Sequence, residues 1–155
     1  MILIIAIKPS RTYHYRVEEK MKKPLILVTD DEEMVTEILD DGLRIFGVQS
    51  GLSVEVELSK DPLEAIQLLK TIKYDLLLLD HRMPSIKGVQ LAKELRLGSG
   101  PNKNTPIIFI SAYLEEVQKQ TNEMSNVNYI DKPLIFQNLI SSIKRSLNIE
   151  DDSTR

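Results

Sequence analysis

No cysteine occurs among the 155 residues, which excludes disulfides, thiolate metal sites, iron–sulfur clusters and thiol nucleophiles. Tryptophan is also absent and aromatic residues make up only 5% of the chain, leaving little stacking surface for single-stranded nucleic acid. The only histidines are His14 and His81, too few for a histidine-rich metal site. Positive charge is not in excess: 20 Lys and Arg stand against 23 Asp and Glu, a net charge of −3. No bulk field is therefore available to hold a phosphate backbone, and no nucleic-acid partner is expected. Long apolar runs are missing too. The longest, Met1–Ile7, is seven residues, whereas a bilayer needs roughly 20. It lacks both a preceding basic region and a small-residue cleavage site, so neither export nor membrane insertion is expected and the protein is placed in the cytoplasm.

What is present is the composition of an ordinary globular domain, 42% hydrophobic and 28% charged. Residues 1–23 stand apart, because the stretch after Ile7 has no period of 2 or 3.6. They are expected to be an N-terminal extension, either a disordered arm or the product of a misread start upstream of Met21. An added edge strand at Leu3–Ile7 is the less favoured reading. From residue 24 to 148 short apolar runs alternate with amphipathic stretches, and residues 149–155 read as a short polar tail.

The runs are Leu25–Val28, Val54–Leu58, Leu76–Leu79, Ile107–Ile110 and Val127–Ile130. Those at 25, 76 and 107 are continuously apolar, as strands covered on both faces must be. Val54-Glu-Val-Glu-Leu58 alternates and predicts an edge strand with one wet face. Between the runs, Val35, Ile38, Leu39 and Phe46 share one helical face, and Ala65, Ile66, Leu69 and Ile72 share another. Asp61, Pro62 and Glu64 provide a cap, a first-turn proline and the acid of a capping box. A third helix carries Val89, Ala92 and Leu95 and stops at Gly98. A fourth, around Leu114–Asn122, is weak, with Val117 nearly alone among polar residues. The last is strong, with Phe136, Leu139, Ile140, Ile143 and Leu147. Five strands alternating with five helices predict one doubly wound α/β domain, a three-layer sandwich around a parallel sheet.

Ligands of such sheets bind beyond the carboxyl ends of the strands. The polar residues ending each run are therefore the candidates: Asp30 and Asp31, Asp80, Ser111, and Asp131-Lys132-Pro133. Each alone has an ordinary role as a cap, a turn former or a surface charge. Together, carboxylates gathered at one edge repel one another and call for a cation. Hard oxygens without His or Cys suit Mg²⁺. A divalent ion and an ammonium beside an accessible carboxylate are what phosphoryl transfer to that carboxylate requires.

These residues carry a resemblance to the receiver domain of two-component response regulators. The matching pieces are Val-Thr-Asp-Asp-Glu at 28–32, Asp-His-Arg-Met-Pro-Ser-Ile-Lys-Gly at 80–88 after Leu76–Leu79, Ile-Ile-Phe-Ile-Ser-Ala at 107–112 and Tyr-Ile-Asp-Lys-Pro-Leu at 129–134. The resemblance implies a flavodoxin-like (βα)5 fold with strand order 2-1-3-4-5, and Asp80 as the acceptor of a phosphoryl group. It implies Mg²⁺ held by Asp30, Asp31, Asp80 and the backbone carbonyl of Arg82. Ser111 and Lys132 would contact the phosphoryl oxygens, and Ser111 and Tyr129 would form the switch. A histidine kinase or histidine phosphotransfer protein would be the donor and a downstream protein the target, with homodimerisation left open. The expected function is that of a stand-alone regulator rather than an enzyme, catalysing only its own phosphorylation and dephosphorylation. A phosphorelay carrier, a phosphorylation-independent pseudo-receiver and a Mg²⁺-dependent phosphatase are the alternatives.

Departures from the family pattern are Thr29, in a commonly aliphatic place, Lys87, where an acid is frequent, and the bulky pair Arg82 and Tyr113. That pair flanks the expected line of water attack and implies a long-lived phosphorylated state. His81 is expected to be structural or on the surface, because strand alternation turns it away from Asp80.

Overall fold

Apolar runs that satisfy a sheet on both faces need helices above and below, and the computed structural model shows that arrangement over residues 22–149, the residues it describes. The expected N-terminal extension and the tail fall almost wholly outside those residues. The order of elements is β1 (Leu25–Thr29), α1 (Glu33–Gln49), β2 (Glu55–Ser59), α2 (Pro62–Thr71), β3 (Leu76–Asp80), α3 (Gly88–Leu97), β4 (Ile107–Ser111), α4 (Leu114–Thr121), β5 (Val127–Asp131) and α5 (Phe136–Ser146). All strand pairs are parallel, in the order β2-β1-β3-β4-β5. The expected fold class and strand order are thus observed, with β2 at an edge. No helix among the described residues is long and apolar enough to cross a membrane.

The period-2 geometry of the strands divides the core into two layers. Ile26, Val28, Leu76, Leu78, Ile108 and Ile110 pack with Leu39 and Leu43 of α1 and Leu139, Ile140 and Ile143 of α5. Leu27, Leu77, Leu79, Ile107 and Phe109 point the other way, onto Ala65 and Leu69 of α2, Val89, Leu91 and Ala92 of α3, and Val117 of α4.

The helix starts follow local chemistry in part. Asp61 caps α2 by accepting from Leu63 N at 2.9 Å, with Pro62 in the first turn. The Glu64 carboxylate, expected to close a capping box, accepts instead from Ser59 Oγ at 2.8 Å and so ties α2 to the end of β2. The expected buried face of α1 needs correcting. Ile38 and Phe46 are about half exposed, and the buried side is Thr36, Leu39, Gly42, Leu43 and Gly47. Glycine is required at 42 because α5 approaches closely, where a Cβ would sit 1.9 Å from the Phe136 ring, and at 47 because the Leu52 carbonyl oxygen would lie 2.9 Å from a Cβ. Phe46 covers that ring from outside, with centroids 5.3 Å apart.

At the end of the sheet opposite the candidate residues, buried Asn102 holds two loops together. Its Nδ2 donates to the carbonyls of Leu69 and Ile72, and its Oδ1 accepts from Tyr74 N. Arg96 donates beside it to the carbonyls of Lys103, Thr105 and Ser125. These contacts leave the opposite edge free to carry polar loops. Gly42→Ala is expected to destabilise the protein by about 1–3 kcal/mol through overpacking against Phe136, and Phe136→Leu in the same chain should recover part of that loss. Denaturant midpoints of the two single variants and the double variant check this, and an additive double variant would contradict the contact.

Candidate functional site

Parallel strands that end together bring their following residues together, and β1, β3 and β5 do this here. Asp30 follows β1, Asp80 is the last residue of β3 and Lys132 follows β5. Ligand oxygens of Asp30, Asp31 and Asp80 all lie within 4.8 Å of one another, with Asp30 and Asp80 buried and Asp31 exposed. The Lys132 ammonium spans the two buried acids, 3.0 Å from Asp30 Oδ2 and 2.9 Å from Asp80 Oδ1. The peptide bond between Lys132 and Pro133 is cis.

The remaining acceptors are filled by backbone. Asp30 Oδ1 accepts from Glu32 N at 3.0 Å, and Asp80 Oδ2 accepts from Arg82 N at 2.7 Å. Burial pushes the Asp30 carboxyl above its usual range, against the lowering effect of the Glu32 amide and Lys132. Burial alone would lower the Lys132 ammonium, but its hydrogen bonds to Asp80 and Asp30 outweigh it and hold the group above the usual lysine value.

Ser111 ends β4, one residue past Ile110, which is in register with Asp80. Its hydroxyl is buried and accepts from Tyr113 N at 3.0 Å, so its own proton is available to another acceptor. The Tyr113 carbonyl in turn accepts from the amides of Glu116 and Val117 in the first turn of α4. Tyr129 lies in β5, stacked on Phe109 with centroids 6.2 Å apart, and its hydroxyl pairs with Thr121 Oγ1 at 2.7 Å. Of the residues expected from sequence, Asp30, Asp31, Asp80 and Lys132 meet directly. Ser111 lies on the neighbouring strand β4, where its carbonyl accepts from Lys132 N at 3.2 Å, whereas Tyr129 pairs with Phe109 and Thr121, and Arg82 joins through its backbone N–H rather than the expected carbonyl.

The loop after Asp80 folds back tightly. Gly88 N donates to His81 O at 3.0 Å, and a Cβ at Gly88 would lie 2.1 Å from the Asp80 carbonyl oxygen. His81 is fully buried, as a structural reading requires, and its Nε2 is 3.2 Å from Glu116 Oε1. The same carboxylate receives Lys87 Nζ at 3.2 Å and Arg82 Nη2 at 3.5 Å. Sequence reasoning missed Glu116, because one acid in a polar helix carries no periodic or spacing signal. Arg82 and Tyr113, expected to flank the site, pair with each other: the guanidinium carbon lies 3.5 Å from the ring centroid. Thr29 is not simply an aliphatic substitute, since its buried hydroxyl has no hydrogen-bond partner among the described residues.

Oxygen donors alone, with two buried carboxylates and one exposed, fit a hard divalent cation. Asp30, Asp31 and Asp80 are the side chains that could hold it.

The family model of the response regulator receiver domain matches residues 26–144. A transcriptional regulatory protein CpxR homolog of Haemophilus influenzae is 34% identical over 124 residues, covering 79% of this chain and 49% of that protein. The chain spans about half or less of the length of the curated relatives it matches. Among solved structures, the receiver domain of the Francisella response regulator 1452 shares 27% identity at a TM-score of 0.68, covering 81% of this chain and 98% of that one. The receiver domain of sensor histidine kinase PA1611 from Pseudomonas aeruginosa PAO1, with a magnesium ion coordinated in its active site cleft, has a TM-score of 0.68 at 22% identity and covers 82% of this chain and 99% of that one. At that identity the likeness concerns the fold.

Hydrogen bonds from His81 and Lys87 lower the Glu116 carboxyl to about 2. A carboxyl lowered on folding stabilises the folded state above its usual value of 4.5 and loses that contribution as pH falls through about 2. Carboxyl-carbon NMR is expected to place the Glu116 midpoint near that lower value and to show it rising in Lys87→Met. A wild-type midpoint near the usual value would contradict the contacts.

Proposed function

The chain belongs to the response regulator receiver family of two-component signalling, and from that premise we propose that Asp80 accepts a phosphoryl group in a Mg²⁺-dependent reaction. The observation that carries this reading is the Lys132 ammonium lodged between Asp30 and Asp80, with Asp31 within reach of both carboxylates.

In the proposed reaction an Asp80 carboxylate oxygen attacks the phosphorus of a phosphohistidine on a partner kinase or phosphotransfer protein. An oxygen–phosphorus bond forms, the phosphorus–nitrogen bond breaks, and the departing imidazole takes up a proton. Lys132 keeps its charge throughout, shifting from the free carboxylate to a phosphoryl oxygen. Ser111 donates its hydroxyl proton to a second oxygen. Asp30, Asp31, Asp80 and the carbonyl of Arg82 would hold Mg²⁺, which neutralises charge on the transferring group when bound.

The same contacts provide an exit for the signal. Drawing Ser111 toward the phosphoryl group disturbs its bond to Tyr113 N, on which α4 begins. Tyr129, tied to Thr121 near the other end of α4, responds from β5. We infer that a downstream protein reads this change by contact in the cytoplasm, and that the chemistry is confined to the chain's own Asp80. The size of the product in its native cells tests the stand-alone form of this reading.

Incubation with Mg²⁺ and acetyl phosphate or phosphoramidate is expected to add one phosphoryl group of ~80 Da, base-labile and absent from Asp80→Asn or in the presence of EDTA. The paired Arg82 and Tyr113 predict slower loss of that group in wild type than in Arg82→Ala with Tyr113→Ala. A wild-type chain left unmodified by both small donors and by a histidine kinase would favour the pseudo-receiver, and catalytic consumption of the donor would favour the phosphatase.

A further inference from the structure

Three side chains of the loop that follows Asp80 converge on one carboxylate of a different element. His81, Arg82 and Lys87 all reach Glu116, in the first turn of α4, at 3.2, 3.5 and 3.2 Å. Two of the three are cations in the loop that leaves the phosphoacceptor. Arg82 is anchored at its backbone to Asp80 and at its guanidinium to the Tyr113 ring. Lys87 immediately precedes Gly88, whose amide closes the loop onto His81. The buried imidazole gives Glu116 a rigid neighbour, whereas Arg82 and Lys87 remain more than half exposed and can turn toward solvent.

A dianionic phosphoryl donor must approach a pocket that already contains three carboxylates. Cations in the adjoining loop would assist that approach, and a fixed carboxylate that neutralises them would oppose it. We propose that Glu116 is a positioning residue for phosphorylation of Asp80, holding Arg82 and Lys87 against α4 and so setting how strongly the pocket mouth attracts an anionic donor. The inference rests on the reading of Asp80 as the phosphoacceptor. Once Asp80 carries a phosphoryl group, that group competes with Glu116 for the same two cations, and its gain is the loosening of α4 from the loop.

Kinetics of phosphorylation by acetyl phosphate, a dianion at neutral pH, with saturating Mg²⁺ test this in the full chain. Glu116→Gln should lower the KM for the donor about 3- to 10-fold with little change in the maximal rate, and Glu116→Asp should restore much of the wild-type KM. The difference between wild type and Glu116→Gln should shrink as ionic strength rises from about 0.15 M to about 1 M, where the screening length falls from roughly 8 Å to 3 Å. Replacing Arg82 and Lys87 by Ala within Glu116→Gln should abolish the gain, an outcome that a purely structural Glu116 would not produce. Thermal unfolding of each variant confirms that it is folded. An Asp80 adduct forming with the same KM in wild type and Glu116→Gln, or a KM change indifferent to salt, overturns the role of Glu116 and leaves the phosphoacceptor reading intact. Failure of wild type to form the adduct with either small donor and with a histidine kinase removes both.

Discussion

A single ammonium group makes the carboxyl edge of this sheet possible. Three carboxylates within 4.8 Å of one another, two of them buried, would repel one another strongly. Lys132 reaches in from β5 and touches both buried members. Backbone amides of Glu32 and Arg82 take up further lone pairs. The fold serves this arrangement. β1 and β3 lie side by side at the middle of the sheet, β5 closes one edge, and the polar network around Asn102 and Arg96 holds the loops at the far end.

What surrounds the ammonium is a set of connections that leave the pocket. Ser111 links to the start of α4 through Tyr113, Arg82 stacks on that same tyrosine, and Glu116 gathers the loop after Asp80. Those contacts connect the surroundings of Asp80 to the start of α4, and Thr121 at its end is paired with Tyr129. The close fold-back of the loop depends on Gly88, because the Asp80 carbonyl occupies the space that any side chain there would need.

Most of the fold was legible in the sequence because strands covered on both sides must be apolar throughout, as Leu76–Leu79 and Ile107–Ile110 are. The site was legible for a related reason: the chemistry of a parallel sheet sits where its apolar runs stop, and Asp30, Asp80 and Lys132 each follow or end one. The buried face of α1 was misread because hydrophobicity favours Ile38 and Phe46, whereas close approach of Phe136 in α5 selects Gly42 and the returning backbone at Leu52 selects Gly47. Glu116 was invisible for a different reason. Its role comes from the docking of α4 against a distant loop, and no local pattern encodes that. Strand order came from the family resemblance, since periodicity alone does not set which parallel strands are neighbours.

The charge balance at Lys132 is open to direct measurement. Mg²⁺ titrations followed by amide NMR shifts should show Asp80→Asn binding the ion more weakly than wild type. Lys132→Met should bind it several-fold more tightly, because a competing positive charge beside two buried carboxylates has been removed. Unchanged affinity in a folded Lys132→Met would mean that the ammonium does not share a pocket with Asp30 and Asp80, and the account would be wrong at its centre.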